Sequence, residues 1–177
     1  PGVTPSLVKE PTHIARARRR IFELAYCNPW AYFFTGTLSP DKQDRTDLDG
    51  FRRAFADFAR KLRYRREGYS AFRYLLVPEL HADGQSWHVH GFLAGVPDAD
   101  LHRFRLGDTM GAYIAQKVRQ GETVYDWLPY SRRFGFCDLE PVQSPEAAAR
   151  YVTKYISKAL DRSVSEVGKH LYYASQG

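Results

Sequence analysis

Two β-rich segments joined by an Asp-Gly turn, and interleaved with amphipathic helical segments, predict an α+β domain. The expected form is an antiparallel sheet with flanking helices, mainly on one face, of the ferredoxin-like or RRM-like kind. Three observations carry this expectation. Residues 71–80 and 86–94 are apolar and strand-like, and they flank His81-Ala82-Asp83-Gly84-Gln85, a hairpin signal. Helical spacing of apolar residues governs segments on both sides of that hairpin. Apolar residues make up 44% of the 177 and aromatics 15%, which suffices for one core and excludes a disordered chain.

The elements follow in order. Residues 1–11 carry three prolines and are expected to be loose. Thr12 to Tyr26 reads as a helix, capped by Thr12, with Ile14, Ala17, Ile21 and Leu24 as its apolar stripe and Arg16, Arg18, Arg19 and Arg20 clustered along it. Pro29 ends it. Trp30 to Leu38 is aromatic and β-branched and reads as a strand. Asp47 to Arg66 is a long helix, with Leu48, Phe51, Phe55, Phe58, Ala59 and Leu62 on one side and Arg52, Arg53, Arg60, Lys61 and Arg63 on the other. After the hairpin, Asp98 to Gln120 is expected to be helical with a break near Gly107, and residues 123–142 to be extended around a polar loop at Ser131-Arg132-Arg133. Ser144-Pro145-Glu146 is a strong helix start: a cap, a proline at the first helical position, then an acid in the first turn. That helix is expected to run to about Leu160.

The net charge of +6 is unevenly placed. Residues 1–68 carry 14 Lys and Arg against 8 Asp and Glu, and the remainder balances. Arg outnumbers Lys 19 to 7, which suits bidentate phosphate contacts and stacking on bases, so nucleic acid is the expected partner. No apolar run approaches the ~18 residues of a membrane span, and no signal-peptide pattern opens the chain, so no membrane partner is expected. Cys27 and Cys137 are too few for a disulfide framework or a Cys-based zinc site, and a reducing, cytoplasmic setting is expected. The one methionine is Met110 and the chain opens on Pro1, so a piece of a longer protein is expected.

Three constellations bear chemistry. In Trp87-His88-Val89-His90-Gly91-Phe92, alternation puts His88 and His90 on one face of a strand, half of a divalent-metal site. A hairpin centred near Asp83-Gly84 sets Glu79 opposite His88, so a carboxylate joins the two imidazoles and leaves coordination positions open for water or substrate oxygens. His81, nearer the turn, is either a further ligand or a solvated turn residue. In Tyr151-Val152-Thr153-Lys154-Tyr155-Ile156-Ser157-Lys158, Tyr151 and Tyr155 share one helical face, with Lys154 and Lys158 beside them. Ala149, Val152, Ile156 and Ala159 or Leu160 are expected to form the opposite, buried stripe. A metal site and a tyrosine together support one reaction. The cation neutralises charge building on a phosphodiester, a phenolate attacks phosphorus, and a lysine holds the phosphate or helps ionise the phenol.

At these residues the sequence resembles the HUH superfamily of rolling-circle replication initiators. His88-Val89-His90 looks like the HUH motif, Tyr151-Val152-Thr153-Lys154-Tyr155 like the two-tyrosine motif, and Phe33-Phe34-Thr35-Gly36-Thr37-Leu38 like the first strand motif. They stand in the family's order over roughly residues 30–160. The resemblance implies an RRM-like HUH endonuclease domain over residues 30–177, preceded by a tail and basic helix over 1–29, within a single domain overall. It implies Mg²⁺ or Mn²⁺ held by His88, His90 and, as the third ligand, Glu79. It further implies nicking and rejoining of single-stranded DNA at an origin or hairpin through a 5′-phosphotyrosine, with host helicase and polymerase as partners in the cytoplasm of a bacterial host. Tyrosines placed after the histidines are the order of phage and plasmid initiators and of related transposases, and the spacing of four looks most like initiators of small single-stranded-DNA phages.

Both Tyr151 and Tyr155 precede a lysine by three, so the pattern leaves their ranking open. Arg52, Arg53, Arg60, Arg63, Arg65 and Arg66, with the Arg16–Arg20 cluster, are candidates for a DNA groove, and Trp87, Trp127 and Tyr130 for base stacking. No GxxxxGK[ST] motif is present, so helicase activity is not expected of these residues. The alternatives are an HUH transposase with the same chemistry, a non-catalytic RRM-like nucleic-acid-binding module, and a non-haem iron enzyme using two histidines and a carboxylate.

Overall fold

The computed structural model describes residues 12–156 and 172–175. Helix α1 (Thr12–Cys27) leads into strand β1 (Tyr32–Thr37) and helix α2 (Leu48–Arg65). The hairpin β2 (Arg73–Leu80) and β3 (Trp87–Ala94) follows, then β4 (Leu101–Arg103), α3 (Ala112–Arg119), β5 (Tyr125–Trp127), α4 (Leu128–Arg133), β6 (Cys137–Pro141) and α5 (Pro145–Tyr151). A π-helical turn, Val152–Ile156, continues α5, and a short β7 (Tyr173–Ala174) completes the elements. The seven strands form one antiparallel sheet in the order β4-β5-β6-β1-β3-β2-β7, so the fold is α+β as expected.

Local chemistry explains the element ends. The Asp47 carboxylate accepts from Gly50 N at 2.8 Å and caps α2. Ala147 N donates to Ser144 Oγ at 3.1 Å, which caps α5. The Asp83 carboxylate accepts from the backbone N–H groups of Gln85 and Ser86 and from the Ser86 hydroxyl, and Gly84 supplies the positive φ that the turn requires. The resulting register sets Glu79 opposite His88 and Val77 opposite His90.

Helices cover both faces of the sheet, where the sequence pattern points mainly to one. Phe34 packs edge-on against Tyr130 and Trp127, and Phe55 and Phe58 of α2 join the same aromatic cluster. Alternation sends Phe33 and Thr35 to the other face, where Phe33 stacks with Tyr151 of α5 and Phe92 stacks with Trp30 at the end of α1. Ile14, Ile21 and Ala25 of α1 are buried in the same core as the sheet. Among the described residues no helix is long and apolar enough to cross a membrane.

Three expectations are corrected by tertiary contacts. Asp98 to Gln120 is not one broken helix: a 3₁₀ turn at Asp98–Asp100 leads into β4, because Leu101–Arg103 pair with Tyr125–Trp127, and helix resumes only at Ala112. The polar loop at Ser131-Arg132-Arg133 is the end of α4, started by Pro129 and anchored by buried Tyr130. Trp87, Trp127 and Tyr130 are buried, so their rings serve the core and offer bases no surface. The ends of the chain's expected elements at residues 1–11 and near Leu160 lie outside the described residues.

Gly91, in the middle of β3, has no room for a side chain. A Cβ there would sit on the carbonyl oxygen of Leu75 in β2. Gly91→Ala is therefore expected to destabilise the fold by about 3 kcal/mol, the scale of an overpacked core. A urea titration checks this as a lowered midpoint with unchanged slope.

Candidate functional site

The site lies on the sheet face that carries Phe33 and Thr35. His88 and His90 of β3 share this face with Glu79 of β2. Glu79 and His90 are buried and His88 is half-buried. Glu79 Oε2 lies 2.7 Å from His90 Nε2, and Thr35 Oγ1 lies 3.4 Å from His90 Nδ1. The His88 and His90 ring centroids are 5.6 Å apart. His81 reaches over the hairpin and stacks on His88 at 4.2 Å, with the rings 7° from parallel. His81 is exposed, as a turn residue, and lies beside the site.

Burial, followed by the neighbouring imidazoles of His81 and His90, lowers the His88 pKa from 6.5 to about 4, so the ring is neutral at pH 7 and keeps a lone pair for a ligand. Two imidazoles and a carboxylate are donors that suit a divalent cation, and the strand register places all three on adjacent positions of one face. The Glu79 carboxylate closes directly on His90, and no three His, Cys, Asp or Glu side chains among the described residues surround a common point. The donor types suit such an ion, and Glu79 would have to release His90 for the three to share one.

Helix α5 crosses this face. Phe33 and Tyr151 stack at 4.4 Å, and Phe92 meets the Tyr151 ring edge-on at 5.3 Å. The Tyr151 hydroxyl donates to Phe34 O at 2.9 Å and accepts from Gly91 N at 3.2 Å. Tyr151 thus ties α5 to the backbones of β1 and β3 and belongs to the core, whereas the helical pattern sets it apart from the buried stripe. The reason is that α5 is short and lies across a sheet, so it buries a wider face than its apolar residues mark. Burial drives the Tyr151 pKa well above the ordinary tyrosine value. From Val152 the backbone is π-helical, a form that recurs at functional sites. Lys154 is exposed at this turn. Lys158 and the side chain of Tyr155 lie outside the described residues.

A cavity of about 570 Å³ opens between this face and helices α3 and α5. His90, Thr35 and Tyr151 line it, with Asp138 and Glu140 of β6, Tyr113 and Lys117 of α3, and Arg150 and Lys154 at the helix. The β6 residues are here because β6 pairs with β1, Asp138 opposite Thr35 and Glu140 opposite Phe33. Lys117 bridges Glu122 and Glu140, each at 2.7 Å, and Tyr113 donates to Glu140 at 2.9 Å. Burial, then the charge of Glu140, raises the Asp138 pKa from 3.8 to about 7, with Lys117 acting against it. The sequence reading passed over these β6 and α3 residues. The alternation Asp138-Leu139-Glu140 is the one signal for them, and it marks a strand face without saying which strand lies beside it.

The basic surface of α2 does not border this site. Its aromatic side packs on the opposite sheet face, and several of its cations are engaged locally: Lys61 and Arg60 with Asp57, Arg52 with Asp49, Arg66 with Asp100. In α1, Arg19 and Arg20 both pair with Glu23.

The two titrations above act in opposite directions on stability. The lowered His88 pKa contributes stability that is complete above about pH 6.5 and lost as pH falls towards 4, because the unfolded imidazole binds the proton more tightly. The raised Asp138 pKa contributes stability that is complete below about pH 3.8 and lost as pH rises through 7. Between pH 4 and 7 the two contributions therefore oppose one another. Asp138→Asn is expected to become more stable with rising pH across that window and His88→Asn less stable, as read by urea midpoints at pH 4.5, 6 and 7.5.

Fold and site together define an antiparallel α+β protein whose one sheet face carries a histidine–carboxylate cluster beneath a short capped helix. Residues 31–160 match the model of the replication-associated protein ORF2/G2P family, and the chain belongs to that family. Its role is therefore in DNA replication, with DNA as its partner. Comparisons with curated proteins and with solved structures gave no match.

Proposed function

We propose that this chain is an HUH-type, metal-dependent endonuclease that nicks and rejoins single-stranded DNA to initiate rolling-circle replication. The observation that carries the proposal is the placement of Glu79, His88 and His90 at adjacent register positions on one sheet face, with the tyrosine segment of α5 laid across that face. Glu79, His88 and His90 would hold Mg²⁺ or Mn²⁺, which when bound supplies positive charge for the phosphate oxygens. The nucleophile is assigned to Tyr155. The Tyr151 oxygen already makes two backbone hydrogen bonds inside the core, so reaching phosphorus would require α5 to leave the sheet.

In the reaction the tyrosine oxygen bonds to phosphorus, its proton passing to solvent, and the bond from phosphorus to the 3′ oxygen breaks. The departing oxygen takes up a proton and becomes a 3′-OH for polymerase to extend. The 5′-phosphotyrosine keeps the phosphodiester energy for rejoining. Lys154 and Lys158 are proposed to hold the phosphate. An origin or hairpin strand is the substrate, with a host helicase and polymerase completing the round.

The test is incubation of the protein with labelled single-stranded DNA and Mn²⁺, followed by a denaturing gel. A DNA band shifted by the mass of the protein and lost with EDTA supports the proposal. DNA binding without an adduct on any strand, origin hairpins included, supports instead a non-catalytic binding module. The direct Glu79–His90 contact is the feature that reading would cite.

A further inference from the structure

The cavity beside His90 contains a carboxyl that the proposed nicking chemistry does not use. Asp138 is 8% exposed, lines the cavity, and receives no hydrogen bond from any described residue. Its neighbour Glu140 differs: Tyr113 and Lys117 both donate to it. The Asp138 carboxyl faces the cavity instead of a protein donor, so a ligand that brings donors takes the place of water there. The space suits such a ligand, since about 570 Å³ falls within the range that encloses small molecules, roughly 300–1,000 Å³. At the cavity's edge, Arg150 and Lys154 offer positive charge, and Tyr113 is 51% exposed. Cations for phosphate, an aromatic ring and a carboxyl in the interior that accepts when ionised match one unstacked nucleotide.

We propose that this cavity receives a single base of the DNA strand next to the nick, and that Asp138 selects guanine there. The inference rests on the reading of single-stranded DNA as substrate. A carboxylate presents two acceptors side by side. Guanine presents two donors side by side on its pairing edge, the N1–H and the 2-amino group. Adenine and cytosine each offer one amino donor beside an acceptor nitrogen. Thymine sets two carbonyl oxygens around one N–H, and these repel the carboxylate. Thr35, across the β1–β6 ladder, and His90 fix the cavity next to the proposed metal-binding face, so the selected base neighbours the scissile phosphate.

The experiment has two arms. In the first, a random single-stranded pool is captured covalently with Mn²⁺ and sequenced. One position near the nick is expected to be guanine-rich, and Asp138→Asn is expected to reduce that preference about tenfold, the scale of one bidentate base contact. The same base distribution in wild type and variant overturns the inference. The second arm uses no metal and no chemistry: fluorescence anisotropy with short oligothymidylates carrying one dG, dA or dC. About tenfold tighter binding of the dG strand, lost in Asp138→Asn, supports the pocket even if the first arm yields no adduct, in which case nicking fails and base selection stands. Equal binding of all strands by wild type overturns base selection, whatever the first arm shows of nicking. Should Asp138→Asn melt at the assay temperature, Asp138→Glu keeps both acceptors and moves them by one methylene. It is expected to keep guanine as the selected base with a weaker preference, and a preference for another base overturns the inference.

Discussion

Tyr155→Phe is expected to form no covalent adduct with single-stranded DNA, a loss of at least about a thousandfold, because the attacking oxygen is removed and that of Tyr151 is held in the core. Tyr151→Phe is expected to keep the adduct. Its cost falls on stability instead: the hydroxyl that joins Phe34 O and Gly91 N is lost, at about 1–2 kcal/mol, while the ring stack on Phe33 remains. The denaturing gel reads the first effect and a urea midpoint the second. An adduct that survives Tyr155→Phe and disappears in Tyr151→Phe would reverse the assignment and show that α5 lifts from the sheet. An adduct lost only in the double variant would show that the two tyrosines serve alternately.

The second large effect concerns the ion. His88→Ala, His90→Ala and Glu79→Gln are each expected to lower Mn²⁺-dependent nicking by at least about a hundredfold, since each removes one of three donors. Activity is not the sole readout. An ion that binds only the folded chain stabilises it by about 2.7 kcal/mol at a hundredfold excess over Kd. Wild type is therefore expected to melt higher with Mn²⁺ than with EDTA, and the His88→Ala/His90→Ala double variant to melt at one temperature in both. Equal melting of wild type with and without Mn²⁺ would count against the metal and leave the Glu79–His90 pair as a structural contact.

Much of the proposed metal face was legible because it is local. The Asp83-Gly84 turn determines which residues of β2 and β3 meet, and alternation then decides which side chains share a face. Glu79, His88 and His90 follow from those two rules, and the structure has that register. The capped start of α5 was legible for the same reason, since Ser144 and Pro145 act within one turn. The strand at Leu101–Arg103 was not, because it exists only through its partner β5 and its own residues prefer no strand. The burial of Tyr151 was not legible either. A tyrosine beside lysines reads as a polar helix face, and only the sheet passing beneath it supplies Phe33, Phe34 and Gly91 as partners.

The sequence by itself thus determined the α+β class, the hairpin register and the histidine–carboxylate set, all products of short-range geometry. The tertiary structure decided that Tyr151 lies in the core, that the aromatic side of α2 covers the opposite sheet face, and that Asp138 stands near His90. The last of these depends on β6 pairing with β1 across about a hundred residues of chain. Such a pairing is chosen by the whole core at once, because no short segment contains both partners, and only the assembled sheet brings them together.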